Sequence, residues 1–374
     1  MRPSHAVAAL NHIARLGLPG HTVLPTVVDV LRDAVGFDTA LFTWTDAQAE
    51  VVDSQIVLGP DFRHILHAYL TEYANTVEAS YILSFRDVLL SDALCESSDR
   101  YGKRYQESPV YDDIGRQVDC YHYLRWPIRE AGAPLGCLTL TRPRGTKAFS
   151  EKQRTFIRLT TDTLTHALAC RNSGEACADQ WEESGEEAFL ICNEQGQVQH
   201  FTHHGRALLH LAAGIPANTA RLLDAALAWA EPLLQQVTKP LASSREQNLP
   251  AVTVRNHSGI YLLRGFRLDA VQKGTPSLVS VQISRRIPSK LKWLGAPAMR
   301  LLPGRDQEVA LALIAGKSAR EIGESLGISH NSVAYHIRSI YNRLGTSRRD
   351  DLAAAMLGMP RCNALGRAAP LART

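Results

Sequence analysis

The apolar positions between residues 302 and 357 recur at the three- and four-residue spacing that is typical of amphipathic helices. This pattern predicts four short helices. Gly316, Gly327 and Gly345 follow the first three, where a glycine accepts the positive φ that ends a helix. The third helix follows Ser329, a residue type that caps helix N-termini. Its single apolar stripe consists of Val333, Ile337, Ile340 and Leu344.

The second and third helices meet at Gly327, and two helices joined by such a turn form the helix-turn-helix that enters the DNA major groove. Between Ser329 and Arg349 the sequence has four arginines and no acidic residue, so the outer face of the third helix attracts phosphate. The alternative is a small helical bundle with a solvated basic face. Mostly hydrogen-bonding side chains point away from the apolar stripe, namely Asn331, Ala334, Tyr335, Arg338 and Ser339.

This segment resembles the DNA-binding domain of LuxR-type transcriptional regulators. The matching positions are Leu302, Arg305, Glu308-Val309, Gly316, Glu321-Ile322, Leu326-Gly327-Ile328-Ser329, Val333, His336-Ile337 and Leu344-Gly345. The resemblance implies that the third helix is the recognition helix, with Ala334, Tyr335 and Arg338 facing the groove. Ser332 stands where the family usually has a phosphate-binding Thr, and Ala334 stands where a Lys is common, which leaves the base preference open.

The resulting hypothesis for DNA contact distinguishes two roles. Tyr335 and Arg338 are the candidates for reading bases, because their side chains project from the recognition helix. Phosphate contacts, which set register without reading sequence, are expected from Lys317, Ser332, Arg343 and Arg348.

Residues 1–172 predict an α+β domain in which helices pack against an antiparallel sheet. Ser150 and Gln153 form a capping box that opens its closing helix. The second half of this domain resembles a GAF domain through Trp126-Pro-Ile, Gly132, Leu135-Gly136, Leu138-Thr-Leu and Phe149-Ser150. The resemblance implies a sensor of small molecules or of an interaction, although some GAF domains bind nothing. A distant relative of acyl-homoserine-lactone sensors is the alternative for this domain.

Residues 185–286 predict two strands, a helical middle and three further strands, an order that resembles a PAS domain. The expected fold is therefore multidomain, with α+β sensory domains followed by an all-α four-helix LuxR-type domain. The expected boundaries are a GAF-like domain at 1–172, a linker at 173–184, a PAS-like domain at 185–286, a basic linker at 287–300, the helix-turn-helix domain at 301–358 and a flexible tail at 359–374.

The net charge of the 374-residue chain is only +4, so the position of the charge is more informative than its total. Six basic residues and no acid lie between Arg285 and Arg305, which favours nucleic acid as a partner. The seven cysteines are scattered without a C-x-x-C pair, which predicts reduced thiols. No signal-peptide core or membrane-spanning run is present, so we expect a cytoplasmic protein without a membrane partner.

Aromatic residues are concentrated in one stretch of the first domain and could line a ligand pocket, the alternative being an ordinary core. They are Tyr101, Tyr105, Tyr121, Tyr123 and Trp126. A second cluster, of histidines, is expected to face solvent rather than to bind haem or a metal; it consists of His200, His203, His204 and His210. No nucleophile–base pair, metal-ligand spacing or phosphate-binding glycine loop appears, so we expect neither a metal site nor an enzyme, and no cofactor is identified.

These patterns together predict a sequence-specific DNA-binding transcriptional regulator. Its expected partners are double-stranded DNA, a second copy of the chain, a small-molecule effector and RNA polymerase. Two alternatives stay open: a constitutive regulator whose N-terminal domains only dimerise, and an enzyme tethered to DNA.

Overall fold

The computed structural model describes residues 3–170, 181–216, 226–243, 250–269, 271–272 and 277–357. Within these ranges the chain forms two five-stranded antiparallel sheets with their helices, followed by a C-terminal helical unit. The expected order of α+β units before an all-α unit is confirmed. The predicted tail at 359–374 lies outside the described residues.

The first domain contains helices on one face of its sheet and short helical segments on the other. Its elements are α1 (Pro3–Ala14), α2 (Gly20–Val35), β1 (Thr39–Thr45), β2 (Val51–Leu58), α3 (Arg63–Ala68), α4 (Phe85–Leu90), β3 (Glu96–Ser97), β4 (His122–Glu130), β5 (Ala133–Arg142) and α5 (Glu151–Ala169). The strand order is β2-β1-β5-β4-β3. The predicted capping box of Ser150 and Gln153 opens α5.

The two faces of this sheet have different surroundings because successive side chains of a strand point to opposite sides. On β4, Leu124 and Trp126 belong to the large apolar core shared with α1, α2 and α5. The intervening Tyr123 and Arg125 face a cavity beneath α3 and the segment that follows it. The helical face therefore supplies most of the core, and the opposite face is free to form a pocket.

The second domain has the predicted order of two strands, helices and three strands. Its elements are β6 (Trp181–Cys192), β7 (Val198–Phe201), α6 (Gly205–Ala213), α7 (Glu231–Ser243), β8 (Ala251–Asn256), β9 (Gly259–Leu268) and β10 (Leu278–Pro288). The strand order β7-β6-β10-β9-β8 repeats the connectivity of the first sheet. β6 begins at Trp181, which pairs with Pro288, so residues 181–184 of the predicted linker belong to the sheet. The remainder, 173–180, lies outside the described residues.

One histidine of the predicted solvent-facing cluster is buried. His210 lies on α6 with 5% of its surface exposed, and its Nε2 contacts the carbonyl oxygen of Ile215. Burial, with the charge of Arg63 nearby, lowers the pKa of His210 to about 4. His210 therefore packs as a neutral residue, whereas His200, His203 and His204 are exposed as expected.

The prediction of a basic linker at 287–300 is wrong, because this stretch is helical and buried. It forms α8 (Ser289–Gly295) and a 3₁₀ helix (Pro297–Leu301) that pack against α1 and α2. Its basic residues are interleaved with apolar ones, and the buried set includes Leu291, Trp293, Leu294 and Met299. Two of its charges are paired within the chain: Lys292 lies 3.1 Å from Glu182, and Arg300 lies 2.9 Å from Asp33.

The C-terminal unit contains the four predicted helices, α9 (Gly304–Ile314), α10 (Ala319–Leu326), α11 (His330–Leu344) and α12 (Leu352–Met356). Its core is continuous with that of the first domain, since α9 packs directly on α1. His12 of α1 contacts two neighbouring residues of α9, at 3.1 Å from Gln307 Oε1 and 3.2 Å from Glu308 Oε1. The helix-turn-helix is therefore docked on the N-terminal helices and not suspended from a tether.

Two further expectations concern the environment of the protein. The five cysteines in the described ranges form no disulfide; they are Cys95, Cys120, Cys137, Cys170 and Cys192. Of the described helices, none combines the length and the apolar character that a membrane span requires.

Gly136 of β5 pairs with Trp44 of β1, and a side chain at this position would collide with β1. A Cβ at this position would lie 2.6 Å from the Phe42 ring and closer still to the carbonyl oxygen of Thr43. Phe42 is fully buried, so neither neighbour can move aside easily.

We predict that Gly136→Ala destabilises the protein by about 1–3 kcal/mol, the usual cost of overpacking a core. Without the close contact, alanine would stabilise a strand by roughly 0.5–1 kcal/mol relative to glycine. Urea unfolding followed by tryptophan fluorescence would measure the change. A midpoint equal to or above that of the parent protein would contradict this packing of β1 and β5.

Candidate nucleic-acid interface and sensory cavity

Local capping interactions fix the turn between α10 and α11. Ser318 and Glu321 form the predicted capping box, with the Ser318 amide donating to Glu321 at 2.7 Å. Gly327 ends α10 at a φ of 63°, and Ser329 then caps α11 by accepting a hydrogen bond from the amide of Ser332. The amide of Ile328 donates to the carbonyl of Gly323 at 3.0 Å, which closes the turn. The angle between the two helices is thus determined by short-range contacts.

The outer face of α11 carries most of the predicted DNA-contacting residues. Tyr335 is 71% exposed. Six other predicted residues are also exposed, namely Lys317, Asn331, Ala334, Arg338, Arg343 and Arg348. Among the described residues, none forms an ion pair with Lys317, Arg338 or Arg348, so these three charges are available to an anionic partner.

Ser332 and Ser339 differ from the other predicted contacts because both are half-buried. The hydroxyl of Ser332 lies 2.9 Å from that of Ser329 at the start of α11. The hydroxyl of Ser339 donates to Asp306 of α9 at 2.9 Å, so this side chain points towards the protein. Ser339 therefore positions the helix in this arrangement, and a role in contacting DNA stays a prediction for Ser332.

Asp306 is a residue of this site that the sequence analysis missed. It is 3% exposed, and its carboxylate lies 2.7 Å from His336 Nδ1 and 3.9 Å from Arg343 Nε, in addition to its bond from Ser339. Three side chains of α11 thus converge on one carboxylate of α9. The available signal was the spacing of His336, Ser339 and Arg343, which places polar groups along one face of the helix.

One of the four arginines counted in the sequence has a structural role. The guanidinium of Arg349 donates to the carbonyl of Leu313 at 2.7 Å and to that of Lys317 at 3.0 Å. Leu313 lies in the last turn of α9, and Lys317 lies in the turn that follows this helix. Arg349 therefore holds the start of α12 against α9, and the positive charge facing outwards comes from the remaining arginines.

The first domain encloses a cavity of about 100 Å³ between its sheet and α3. Most of the lining is apolar, and threonine hydroxyls from β1 and β5 add hydrogen-bonding groups. Representative lining residues are Leu41, Thr43, Ile65, Leu66, Val118 and Thr139. A cavity of this kind is the usual form of a small-molecule site.

Two of the five predicted pocket residues line this cavity, and the other three do not. Tyr105 and Tyr123 line it. Tyr101 and Tyr121 lie beside it in the same aromatic cluster, where both are half-buried. Trp126 lies on the opposite face of the sheet, and its Nε1 donates to Thr161 of α5 at 3.2 Å. Trp126 is therefore a core residue, because it is one position out of phase with Tyr123 and Arg125 on β4.

Arg125, which lines the cavity, belongs to a buried ion pair. Arg125 and Glu78 are 2.8 Å apart and almost fully buried, and the hydroxyl of Tyr69 donates to the same carboxylate at 2.8 Å. Burial opposes the charge of Arg125, but the carboxylate of Glu78 prevails and raises the pKa of the guanidinium well above its ordinary value. Arg125 therefore carries its positive charge, and the negative charge of Glu78 balances it within the protein.

Two parts of the chain match known protein families. The model for bacterial regulatory proteins of the luxR family matches residues 301–356, and the GAF domain model matches residues 19–168. The transcriptional regulatory protein LiaR of Bacillus subtilis (strain 168) is 33% identical over 88 residues, which is 23% of this chain and 41% of that protein. The chain thus spans less than half of the length of this curated relative.

The solved structures with detectable likeness include two VqmA proteins. The phage VqmA–DPO complex is 16% identical, with a TM-score of 0.20, over 47% of this chain and 83% of that chain. The VqmA dimer of Vibrio cholerae is 12% identical, with a TM-score of 0.19, over 47% of this chain and 84% of that chain. Scores this low carry no argument about function.

The family matches agree with both resemblances found in the sequence, to a LuxR-type domain and to a GAF domain. The luxR match covers residues 301–356, and the GAF match covers residues 19–168. Residues 301–356 therefore form a luxR-type helix-turn-helix domain, and residues 19–168 form a GAF domain.

Proposed function

We propose that this protein is a sequence-specific transcriptional regulator that binds DNA as a dimer and responds to a small molecule held by its GAF domain. The observation that carries the proposal is the luxR-type domain with an exposed, arginine-bearing recognition helix. RNA polymerase is the further partner that such a regulator implies.

The attachment of α11 to Asp306 supports a role in reading base sequence. Base readout needs side chains at defined positions in the major groove, whereas non-specific binding needs only positive charge. Asp306 fixes the inner face of α11, and Tyr335 and Arg338 project from its outer face. We assign base contacts to these two residues and phosphate contacts to Lys317, Ser332, Arg343 and Arg348.

A dimer is proposed because one helix-turn-helix buries a modest area on DNA. Domains of this kind reach useful affinity by occupying two half-sites that are about one helical turn apart, about 34–36 Å. The N-terminal domains would set this spacing, since α9 is packed on α1 and cannot swing freely.

The cavity supports an uncharged effector of about the size of a single ring. Its walls are mostly apolar, and the threonines offer groups for one or two hydrogen bonds. The charge of Arg125 is already matched by Glu78, so an anionic ligand would have to compete for a pair that is buried and fully formed. The small volume also favours a second candidate, in which the GAF domain holds no effector and the protein binds DNA constitutively.

We predict that Arg338→Ala costs about 1–3 kcal/mol on a site selected from random DNA and relaxes the preference at one base position. The reason is that an arginine in the major groove donates two hydrogen bonds to one guanine. Fluorescence anisotropy on the selected site and on its single-base variants would measure both effects. An equal loss on selected and random DNA would assign Arg338 to phosphate.

The matched control is Arg348→Ala, which removes the same charge outside α11. It should weaken binding to all DNA alike and reduce the slope of log K against log salt by about one unit, because one phosphate contact is lost. The measurement is a salt titration of parent and variant on the same duplexes. An unchanged slope would remove Arg348 from the interface.

Thr139→Phe should block effector binding, because the ring would occupy the cavity from the central strand β5. We expect native mass spectrometry of the parent protein, purified from its own host, to detect a bound mass that the variant lacks. Thr155→Phe, at an exposed position on α5, is the control and should retain the ligand. Parent protein without any bound mass would favour the constitutive regulator, and a ligand retained by the Thr139 variant would place the site elsewhere.

A further inference from the structure

Three metal-binding side chains converge where the first domain meets the second. His21 lies in the first turn of α2, Asp53 lies on β2, and His257 lies in the turn between β8 and β9. Their ligand atoms all lie within 4.8 Å of one another. His21 Nε2 is 3.3 Å from Asp53 Oδ2, and the two imidazole rings have centroids 4.3 Å apart.

These side chains are held by contacts on both sides of the domain boundary. The ring of His21 stacks on the indole of Trp44 at 4.0 Å, and Trp44 pairs with Asp53 in the sheet. The hydroxyl of Thr22 donates to the carbonyl oxygen of His257 at 2.8 Å, which ties the β8–β9 turn to α2. Side chains that are already held in place favour metal binding, because little entropy is lost when the ion enters.

A simple hydrogen bond accounts for only part of this cluster. A hydrogen bond between His21 and Asp53 explains why these two side chains approach each other. It does not explain why the imidazole of His257 also lies close to both. Within the described ranges, the side chain of His257 makes no hydrogen bond, and its ring contact is with His21. His257 is exposed, whereas His21 and Asp53 are half-buried, so one side of the cluster is open to solvent.

We propose that His21, Asp53 and His257 form a binding site for one divalent transition-metal ion, of which Zn²⁺ fits best. Two imidazoles and one carboxylate are ligands that Zn²⁺ accepts, and three protein ligands leave a fourth position for water. Ca²⁺ and Mg²⁺ fit poorly because they prefer sites made entirely of oxygen ligands. The ion would join the GAF domain to the second domain and fix their relative position.

Two arginines in the described part of the chain lie close to this site and have other partners. Arg63 and Arg255 line clefts that share residues with the site. Arg63 is paired with Asp61 at 2.6 Å, and Arg255 lies over the ring of Trp181. Both guanidinium groups are therefore directed towards other partners. The site also does not depend on the proposed DNA binding or on an effector in the cavity.

The test uses the untagged, chelator-stripped full-length protein and ZnCl₂ in isothermal titration calorimetry. The parent chain should bind one Zn²⁺ at this site, and His257→Ala and Asp53→Asn should each weaken that binding at least tenfold. A tenfold loss is a low expectation for removing a ligand, because removing even a residue that only hydrogen-bonds to a ligand lowers metal affinity by about 10- to 100-fold. His203→Ala, an exposed histidine of the same domain, is the matched control and should bind as the parent does.

A second measurement reports the location directly. Hydrogen exchange followed by mass spectrometry should slow on Zn²⁺ addition in peptides covering His257 and the start of α2, in the parent and in His203→Ala but not in His257→Ala. The proposal is overturned if the parent chain binds no Zn²⁺, or if His257→Ala and Asp53→Asn bind it as tightly as the parent. It is also overturned if His203→Ala is the variant that loses binding.

Discussion

The DNA-binding surface depends on the contact between the buried carboxylate of Asp306 and the side chains of α11. Burying a charge is costly unless it is hydrogen-bonded or paired. His336 and Ser339 of α11 supply two hydrogen bonds, and Arg343 lies 3.9 Å away as an ion-pair partner. Hydrogen bonds to charged groups contribute about 1.5–3 kcal/mol each, so the contact is strong enough to fix the rotation of α11 about its axis. The next two residues, Gln307 and Glu308, contact His12 of α1. One turn of α9 therefore holds the recognition helix and also attaches it to the N-terminal helices.

A comparable constraint organises the GAF domain, where one sheet separates a packed core from a cavity. The alternation along β4 assigns Trp126 to the core and Arg125 to the cavity wall. A shift of one residue would exchange these faces and bury the guanidinium among the helices. The ion pair with Glu78 is possible only in the observed register, so pocket and core are specified together.

Local features were predictable from the sequence, and non-local ones were not. The helices from α9 to α12 follow from capping residues and terminal glycines, which act within a few positions. The basic stretch at 287–300 was misread because its charges masked the buried Trp293 and Met299. Trp126 was assigned to the pocket by proximity in sequence, although strand alternation places it opposite. The contact of His12 with Gln307 spans 295 residues and has no local signal.

The position of α11 restricts how an effector could control DNA binding. None of the described residues covers Tyr335, which is 71% exposed, so this arrangement leaves the reading face accessible. Control by an effector would then have to act on the distance between two recognition helices in a dimer. The path available is short, since α1 packs on α5 of the GAF domain and on α9. Spatial continuity alone does not establish coupling, which requires two states of this contact with different affinity for the effector. The α1–α9 contact is one element in which two such states would change the position of α11.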